Sequence, residues 1–248
     1  MCMFIKILIT LFVILPQAHS FVANTKSSEL KAHLTLNPSD SDALYNLALN
    51  EQKDGNPALS LALNERSRFI NPFNLDAVKL TTISYDQLTE INNERLETVP
   101  VYFKALDFIP YFLLLALCLT SFVLFAWHMG KTVRTEAVTF KSQPKLRLKS
   151  SLFAALILIL LSLTAIKSSS LNQTWACVIK NDTPLFTGPH SESYIKVGVL
   201  NAGTCSKVVL LNDSWVSLSL AKKTSGWTPR KQVLIVRANK FDPLFKSD

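Results

Sequence analysis

The stretch that decides the fold is FIPYFLLLALCLTSFVLFAWHM, residues 108–129, which contains no Asp, Glu, Lys or Arg in 22 residues. A helix rises about 1.5 Å per residue, so this length crosses a bilayer core of about 30 Å. Tyr111 and Trp127 stand near its two ends, where aromatic side chains favour the membrane–water interface. The stretch therefore predicts a transmembrane helix.

A second apolar run, residues 151–166, follows a short polar segment. It reaches across the bilayer core if Lys149 and Lys167 extend their ammonium groups toward the two interfaces. We expect a second transmembrane helix over 151–167 and hence a hairpin of two spans. A hairpin buried in the core of a soluble protein is the alternative.

A third apolar run, Met3 to Leu15, stands at the beginning of the chain, with Lys6 as its basic residue and small residues at 18 and 20. This arrangement predicts a secretory signal peptide over residues 1–20, and an uncleaved anchor is the alternative. Dense apolar runs separated by polar segments exclude one enzyme-sized soluble core. Two central spans are also too few for a large channel or transporter.

The segment between the two spans, residues 130–150, carries six basic residues against the single acid Glu136. Short loops of this charge lie in the cytoplasm. The flanking parts, residues 21–107 and 172–240, are then both extracytoplasmic, in agreement with the signal peptide. The basic residues are Lys131, Arg134, Lys141, Lys145, Arg147 and Lys149.

The two flanking parts differ in charge. Residues 21–107 contain 8 basic and 12 acidic residues, a net charge of −4, whereas residues 168–248 contain 10 basic and 5 acidic residues, a net charge of +5. Opposite charges allow the two parts to attract each other or to select different partners. Because the basic part is predicted to be exported, nucleic acid is not expected as its partner.

Residues 21–107 contain an internal repeat. The tripeptide Leu36-Asn37-Pro38 recurs 34 residues later as Ile70-Asn71-Pro72. With Tyr45-Asn46-Leu47-Ala48 and Gly55 between them, the pattern resembles one tetratricopeptide repeat, a pair of helices. Half a repeat before it, over 27–37, and a closing helix over 73–98 predict a small all-α module.

Tetratricopeptide repeats bind proteins through the first helix of each unit, so the resemblance implies a docking surface on the helix that follows Pro38. A solvated helix face without a partner is the alternative. The candidate contact residues are Asp42, Tyr45, Leu49 and Gln52.

Residues 172–240 change to short β-rich pieces separated by turn residues, which predicts a small all-β barrel. The expected strands are 175–180, 195–200, 205–211, 215–220, 226–228 and 233–236. Three features resemble a bacterial SH3-like domain: Leu185-Phe186-Thr187-Gly188-Pro189 in the first long loop, Trp215-Val216, and Gly226-Trp227-Thr228-Pro229.

Aromatic residues of such a barrel either fill its core or line a ligand groove. We expect Trp215 in the core, and we take Trp227 and the loop residue Phe186 as candidate binding residues. Cys177 and Cys205 fall on different predicted strands. A disulfide between them is permitted in an exported domain, but sequence does not show their separation, so bonded cysteines and free thiols both remain open.

No residue set for catalysis is visible. The chain has four histidines, none of them paired with a second ligand at metal-binding spacing, and it lacks C-x-x-C, G-x-S-x-G and a glycine-rich phosphate loop. We therefore expect no catalytic residue, no metal, no cofactor and no enzymatic activity.

The whole order, a signal peptide, one repeat ending in Asn71-Pro72, two close spans and an SH3-like barrel, resembles the BatE family of Bacteroides aerotolerance (Bat) proteins. The resemblance implies a two-pass scaffold in the bacterial inner membrane that works with von Willebrand A-domain Bat proteins and a MoxR-type ATPase in stress and oxygen tolerance. The alternatives are a peptidoglycan-binding membrane protein that acts through the barrel, and a thiol-redox sensor that uses Cys177 and Cys205.

Overall fold

The computed structural model describes residues 26–93, 96, 107, 109, 111–139, 144–190, 193–219 and 225–238. Within these residues, six α-helices precede a seven-stranded antiparallel sheet. This multidomain order of helices, two long apolar helices and a C-terminal sheet follows the layout that the sequence predicts. The predicted signal peptide, residues 1–20, lies outside the described residues.

Four helices come first, each packing against the next. Leu44, Leu47 and Ala48 recur at the spacing of one helix face and are fully buried. The helices therefore bury one stripe each and keep polar residues outside. They are α1 (Ser27–Leu36), α2 (Ser41–Lys53), α3 (Pro57–Ile70) and α4 (Leu75–Asn92).

The 34-residue spacing of the sequence is also a spacing of helix ends. The backbone N–H groups of Asn37 and Asn71 each donate to the carbonyl four residues earlier, at 2.9 and 2.8 Å. The side chains of Asp40 and Asn74 then accept backbone N–H groups at the starts of α2 and α4, which is the role of an N-cap. The repeat thus preserves the residues that end one helix and begin the next.

Glu51 of α2 explains one departure from the repeat pattern, an acid at a buried position. Its carboxylate pairs with the Lys31 ammonium of α1 at 2.8 Å and accepts from the Asn56 amide, before α3, at 2.9 Å. A buried carboxylate is tolerated when its oxygens are paired. Glu51 therefore joins three helices by polar contacts.

Two long helices follow, α5 (Tyr111–Thr139) and α6 (Pro144–Leu171), which pack against each other. Both are long and apolar enough to span a membrane, over Leu113–Lys131 and Ala154–Leu171. Each continues beyond its apolar run into residues 130–150, which we expected to be a loop. Basic residues do not end a helix, so charge marked the membrane boundary but not the helix boundary.

Most apolar side chains of the two long helices face outward. Phe122 is 60% exposed and Leu158 is 65% exposed, and only 17% and 11% of the two candidate spans are buried. Exposed apolar surface of this extent is unusual for a soluble protein. The two helices contact each other through Cys118, whose Sγ lies 3.6 Å from the Thr164 hydroxyl.

The sheet contains seven short strands in the order β3-β2-β6-β5-β4-β1-β7. We predicted six of them; β2 lies in the segment that we expected to be a loop. Its length of four residues, with Pro184 inside, concealed it, because proline is unfavourable within strands. The strands are β1 (Trp175–Val178), β2 (Thr183–Phe186), β3 (Lys196–Leu200), β4 (Cys205–Leu211), β5 (Trp215–Ser219), β6 (Ser225–Pro229) and β7 (Val233–Arg237).

The two faces of β1 belong to two different hydrophobic cores. Ala176 and Val178 point into the core enclosed by the curved sheet, which also contains Val216 and Leu218. Trp175 and Cys177 point to the outer face, as alternate residues of a strand must. That outer face packs against the helices, mainly α3.

This shared core joins the helices and the sheet into one body. Leu44 and Leu63 from the helices belong to the same buried cluster as Leu234 and Val236 of β7. The sequence suggested two modules of opposite charge that attract each other, but the contact between them is made by apolar side chains. Burial of apolar surface, at about 25 cal/mol per Å², stabilises this contact independently of salt.

A second contact between helices and sheet lies at the turn before β4. Gly203 has φ of +88°, and a Cβ there would lie 2.7 Å from Leu88 Cδ1 and 2.9 Å from Leu96 Cδ1. The Asn92 side-chain amide donates to the Ala202 carbonyl at 3.2 Å. Glycine is therefore required both by the left-handed backbone and by the close approach of α4.

We expect Gly203→Ala to lower the free energy of unfolding by about 2–4 kcal/mol, from left-handed strain and overpacking together. Gly198→Ala is the matched control, because a Cβ at Gly198 meets no atom within 4 Å. That variant should be neutral or gain up to about 1 kcal/mol. Thermal unfolding of the full chain in lipid nanodiscs measures both, and equal effects would contradict the docking of α4 on this turn.

Candidate functional site

The most distinctive exposed surface of the body is the outer face of the sheet around β5. Val216 and Leu218 are fully buried in the core enclosed by the sheet. Because successive side chains alternate, Trp215 and Ser217 lie on the outer face. Trp215 is half-buried there rather than enclosed in a core.

Strand pairing extends this outer face across five strands. Residues paired directly on neighbouring strands share a face. From Ser217, the pairs run through Trp227 and Phe186 to Lys196 on one side and to Leu210 on the other. These five residues form a single row across β3, β2, β6, β5 and β4.

A second pair lies beside this row, Trp215 of β5 opposite Pro229 of β6. The Phe186 ring meets the Trp215 ring edge to face, with the ring centroids 5.6 Å apart and the planes at 83°. Such a contact is favourable and orients both rings. We call Phe186, Leu210, Trp215, Trp227 and Pro229 the outer aromatic face.

The structure thus brings together two of the predicted binding residues, Phe186 and Trp227, and adds Trp215. Our expectation of a core position for Trp215 is wrong, because the smaller Val216 and Leu218 occupy the enclosed side of β5. The alternation Trp-Val-Ser-Leu is visible in the sequence, but it does not say which half points inward.

Basic residues border the outer aromatic face. Lys196 ends the row at β3, and Lys207, which is exposed, pairs with Ser219 on the same face. Arg230 follows Pro229 directly, and its backbone N–H donates to the Ser214 carbonyl at 2.9 Å. An apolar aromatic surface with a basic border suits a ligand that combines apolar groups with negative charge.

The four residues predicted as a docking surface on α2 are half-buried and lie along one side of the helix. One of them is used inside the body. The Gln52 amide donates to Gln87 at 2.7 Å and accepts from the Ser84 hydroxyl at 2.8 Å, so it ties α2 to α4. The four residues are Asp42, Tyr45, Leu49 and Gln52.

The other end of this helix side is acidic. Burial and the neighbouring Asp40 raise the pKa of the Asp42 carboxyl. Burial and Asp76 raise the pKa of the Tyr45 hydroxyl. The electrostatic character of this surface is therefore opposite to that of the outer aromatic face.

Asp40 holds the start of α2. Its carboxylate accepts the backbone N–H groups of Asp42 at 3.1 Å and Ala43 at 3.0 Å, and it lies 2.8 Å from His33 Nε2. Burial raises the pKa of the Asp40 carboxyl, but the hydrogen bond from Ala43 and the pairing with His33 outweigh burial and leave this pKa below its ordinary value.

Because its pKa is lower in the folded chain, ionised Asp40 stabilises the fold above the unfolded pKa of about 4, and this contribution is lost as the pH falls through the folded pKa. We expect Asp40→Asn to cost about 0.5 kcal/mol at pH 7, with the difference from the unmodified chain shrinking toward zero below about pH 4. Asn74→Ala, at the corresponding uncharged cap, should cost the same at both pH values. Unfolding curves from pH 7 to 3 measure this, and a pH-independent Asp40→Asn effect would contradict it.

Cys177 and Cys205 are direct partners on β1 and β4 and form a disulfide. Of the two states that sequence left open, the structure contains the bonded one. Both residues are buried in the core shared by helices and sheet. A redox-sensing cysteine is normally accessible, so this position argues against the thiol-sensor interpretation. Cys118 is the free cysteine of the described residues.

A charged cluster that sequence reasoning missed lies where the long helices meet the body. Asp107, before α5, accepts from the Lys167 ammonium of α6 at 3.4 Å and from the Arg237 guanidinium of β7. Arg237 also donates to the Ser170 hydroxyl at 2.9 Å, and its guanidinium lies 4.6 Å from the centre of the Phe69 ring. We call these five residues the junction cluster.

The charges of the junction cluster are almost completely removed from solvent. The side chains of Lys167, Arg237 and Asp107 are 6%, 3% and 9% exposed. Burial raises the pKa of the Asp107 carboxyl and lowers that of the Arg237 guanidinium, while their mutual attraction acts in the opposite direction on each. Our expectation that Lys167 extends to the interface is wrong, because its ammonium is paired with Asp107 instead.

Among the residues that the structure describes, no group of three or more His, Cys, Asp or Glu side chains is arranged to hold a metal ion. Comparison of the chain with protein-family models, with curated proteins and with solved structures finds no match in any of the three. Inference about function therefore rests on the surfaces described above.

Proposed function

We propose that the chain is a non-enzymatic, membrane-anchored adaptor that holds a protein partner at the outer side of a bacterial inner membrane. The observation that carries this proposal is the outer aromatic face. The opposite side of the sheet packs against the helices, whereas the aromatic side keeps Phe186, Trp215 and Trp227 half-exposed. Exposed aromatic clusters of this kind are typical of binding surfaces.

The exposed apolar helices support a two-pass membrane anchor. The Lys131 ammonium lies 3.9 Å from the centre of the Trp127 ring, a pairing suited to the membrane–water interface. The six basic residues of 130–150 favour the cytoplasm for the connection between the helices. The body, which meets the other end of the hairpin at Asp107, is then extracytoplasmic.

Two architectural resemblances also support the adaptor. The recurrence of helix caps every 34 residues is similar to a tetratricopeptide unit. A small sheet with a short 3-10 turn between β6 and β7, at Arg230–Gln232, is similar to an SH3-like barrel. Both classes of module bind proteins.

Resemblance to the BatE family proposes the partners: von Willebrand A-domain Bat proteins and a MoxR-type ATPase, acting in stress or oxygen tolerance. The two spans keep the body close to any partner in the same membrane and raise its effective concentration there. Only residues 172–174 separate α6 from β1, so the body stays at the membrane surface. That distance favours membrane-bound partners.

We expect Trp227→Ala to reduce partner recovery at least about tenfold, because a central aromatic side chain commonly dominates an interface. The tagged full chain is purified from membranes in mild detergent, and co-purified von Willebrand A-domain and ATPase proteins are quantified by mass spectrometry. Phe73→Ala, at an exposed aromatic residue of the helical side, is the matched control. Equal recovery with both variants would place the contact elsewhere.

Peptidoglycan binding is the second candidate. It is favoured by the same row of Phe186 and Trp227, because flat aromatic rings also stack on sugar rings, and by the basic border, which suits the carboxylates of stem peptides. Co-sedimentation of the full chain in detergent with isolated cell wall, lost in Trp227→Ala but not in Phe73→Ala, would favour this candidate over the adaptor.

A further inference from the structure

The membrane-length hairpin and the body meet at a small contact. Among the described residues, α5 and α6 pack extensively against each other, but neither packs extensively against a helix or strand of the body. Three residues, 172–174, connect α6 to β1 and reach about 10 Å when extended. The position of the body on the hairpin therefore depends largely on the junction cluster.

The junction cluster has a hairpin side and a body side. Lys167 and Ser170 belong to α6 and Asp107 precedes α5, whereas Arg237 ends β7 of the body. Asp107 accepts from both cations at once. Arg237 is thus the body's charged contact with the hairpin, and Asp107 is the shared acceptor.

The energetics of such a cluster favour two alternative states. Desolvation of buried charges offsets much of their attraction, so a buried ion pair contributes little net stability compared with separated, satisfied charges. Both cations have another place to go. The Glu65 carboxylate on α3 attracts Arg237 within the body, and the flexible Lys167 side chain can extend its ammonium to the lipid headgroups.

We infer that the junction cluster is a latch that fixes the body on the membrane hairpin, with a released state in which the body reorients on its tethers. In the latched state Arg237 pairs with Asp107 and Ser170. In the released state Arg237 pairs with Glu65, and Lys167 faces the headgroups. The latch would let an event at the membrane change the direction in which the body presents its surfaces.

Spin-label distances on the full chain in nanodiscs test the latch. In a Cys118→Ser background, one label is placed on the hairpin by Val133→Cys and one on the body by Lys53→Cys, both at exposed positions. We expect one narrow distance distribution in this background and a distribution broadened about twofold or more by Arg237→Met, as expected for a body on a short flexible tether.

A second label pair within the body, Lys53→Cys with Lys231→Cys, is the control for folding and should stay narrow in Arg237→Met. If this control also broadens, Lys167→Met decides, because it removes the hairpin's cation without altering the body; broadening of the hairpin–body distance in that variant supports the latch. An unchanged hairpin–body distance in Arg237→Met with an intact body, or in Lys167→Met, overturns the inference.

Discussion

Asp107→Asn is expected to lower the free energy of unfolding by about 3–5 kcal/mol, the cost of removing one partner from a buried charge cluster. The carboxylate is the shared acceptor for Lys167 and Arg237. Without it, two buried cations remain near each other with no opposite charge between them. The loss should exceed that of Arg237→Met, because that variant leaves the pair of Asp107 and Lys167 intact.

Chemical denaturation of the full chain in nanodiscs, followed by the fluorescence of its tryptophans, measures this loss. Asp76→Asn is the matched control, because Asp76 pairs with Lys79 at 3.7 Å but its side chain is 70% exposed. An exposed pair of this kind contributes about 0–1 kcal/mol. A cost for Asp107→Asn within the range of this control would show that the junction cluster is solvated in the membrane.

The double variant Cys177→Ala/Cys205→Ala is expected to lose about 3–4 kcal/mol of unfolding free energy, because the disulfide closes a loop with a sequence separation of 28. The crosslink restricts the unfolded chain, and its position in the shared core means that the helices lose stability together with the sheet. We therefore expect a single unfolding transition that shifts as a whole.

Thermal unfolding in nanodiscs, monitored both by helix content and by tryptophan fluorescence, gives the measurement. Cys118→Ala, which removes the free half-buried thiol, should change stability by at most about 1 kcal/mol. Separate transitions for helices and sheet would contradict the shared core. A double variant that keeps stability but loses a stress response would revive the thiol-sensor interpretation.

The shared core also changes how the proposed adaptor would work. Two modules on flexible linkers present their surfaces independently, whereas one body presents the α2 side and the outer aromatic face in a constant relation. A partner that contacts both surfaces then binds without the entropy cost of orienting two modules. The opposite electrostatic character of the two surfaces restricts which partner fits both.

Features that depend on neighbours along the chain could be predicted from the sequence. Apolar composition over 18 or more residues is sufficient for the two long helices. The asparagine–proline pairs at 37–38 and 71–72 mark where helices end, and turn residues mark six of the seven strands. Each of these signals acts over a few residues, so no knowledge of the fold is needed to interpret them.

The candidate site required the tertiary structure. Phe186 and Trp227 could be chosen as exposed aromatic residues, but their alignment with Ser217 and Leu210 depends on the register of four strand pairs. The phase of β5, which turns Trp215 outward, depends on which side chains fill the enclosed core. Neither is a local property of the chain.

By itself, the sequence determined the class of each segment: two membrane-length apolar helices, a 34-residue helical repeat and a β-rich C-terminal part. Only the tertiary structure decided that the repeat and the sheet form one body, that Cys177 reaches Cys205, and that Asp107 meets Arg237 130 residues later. The physical reason is that local patterns determine which residues are apolar or helical, whereas the partner of a buried charge or a core side chain is selected by packing between distant segments.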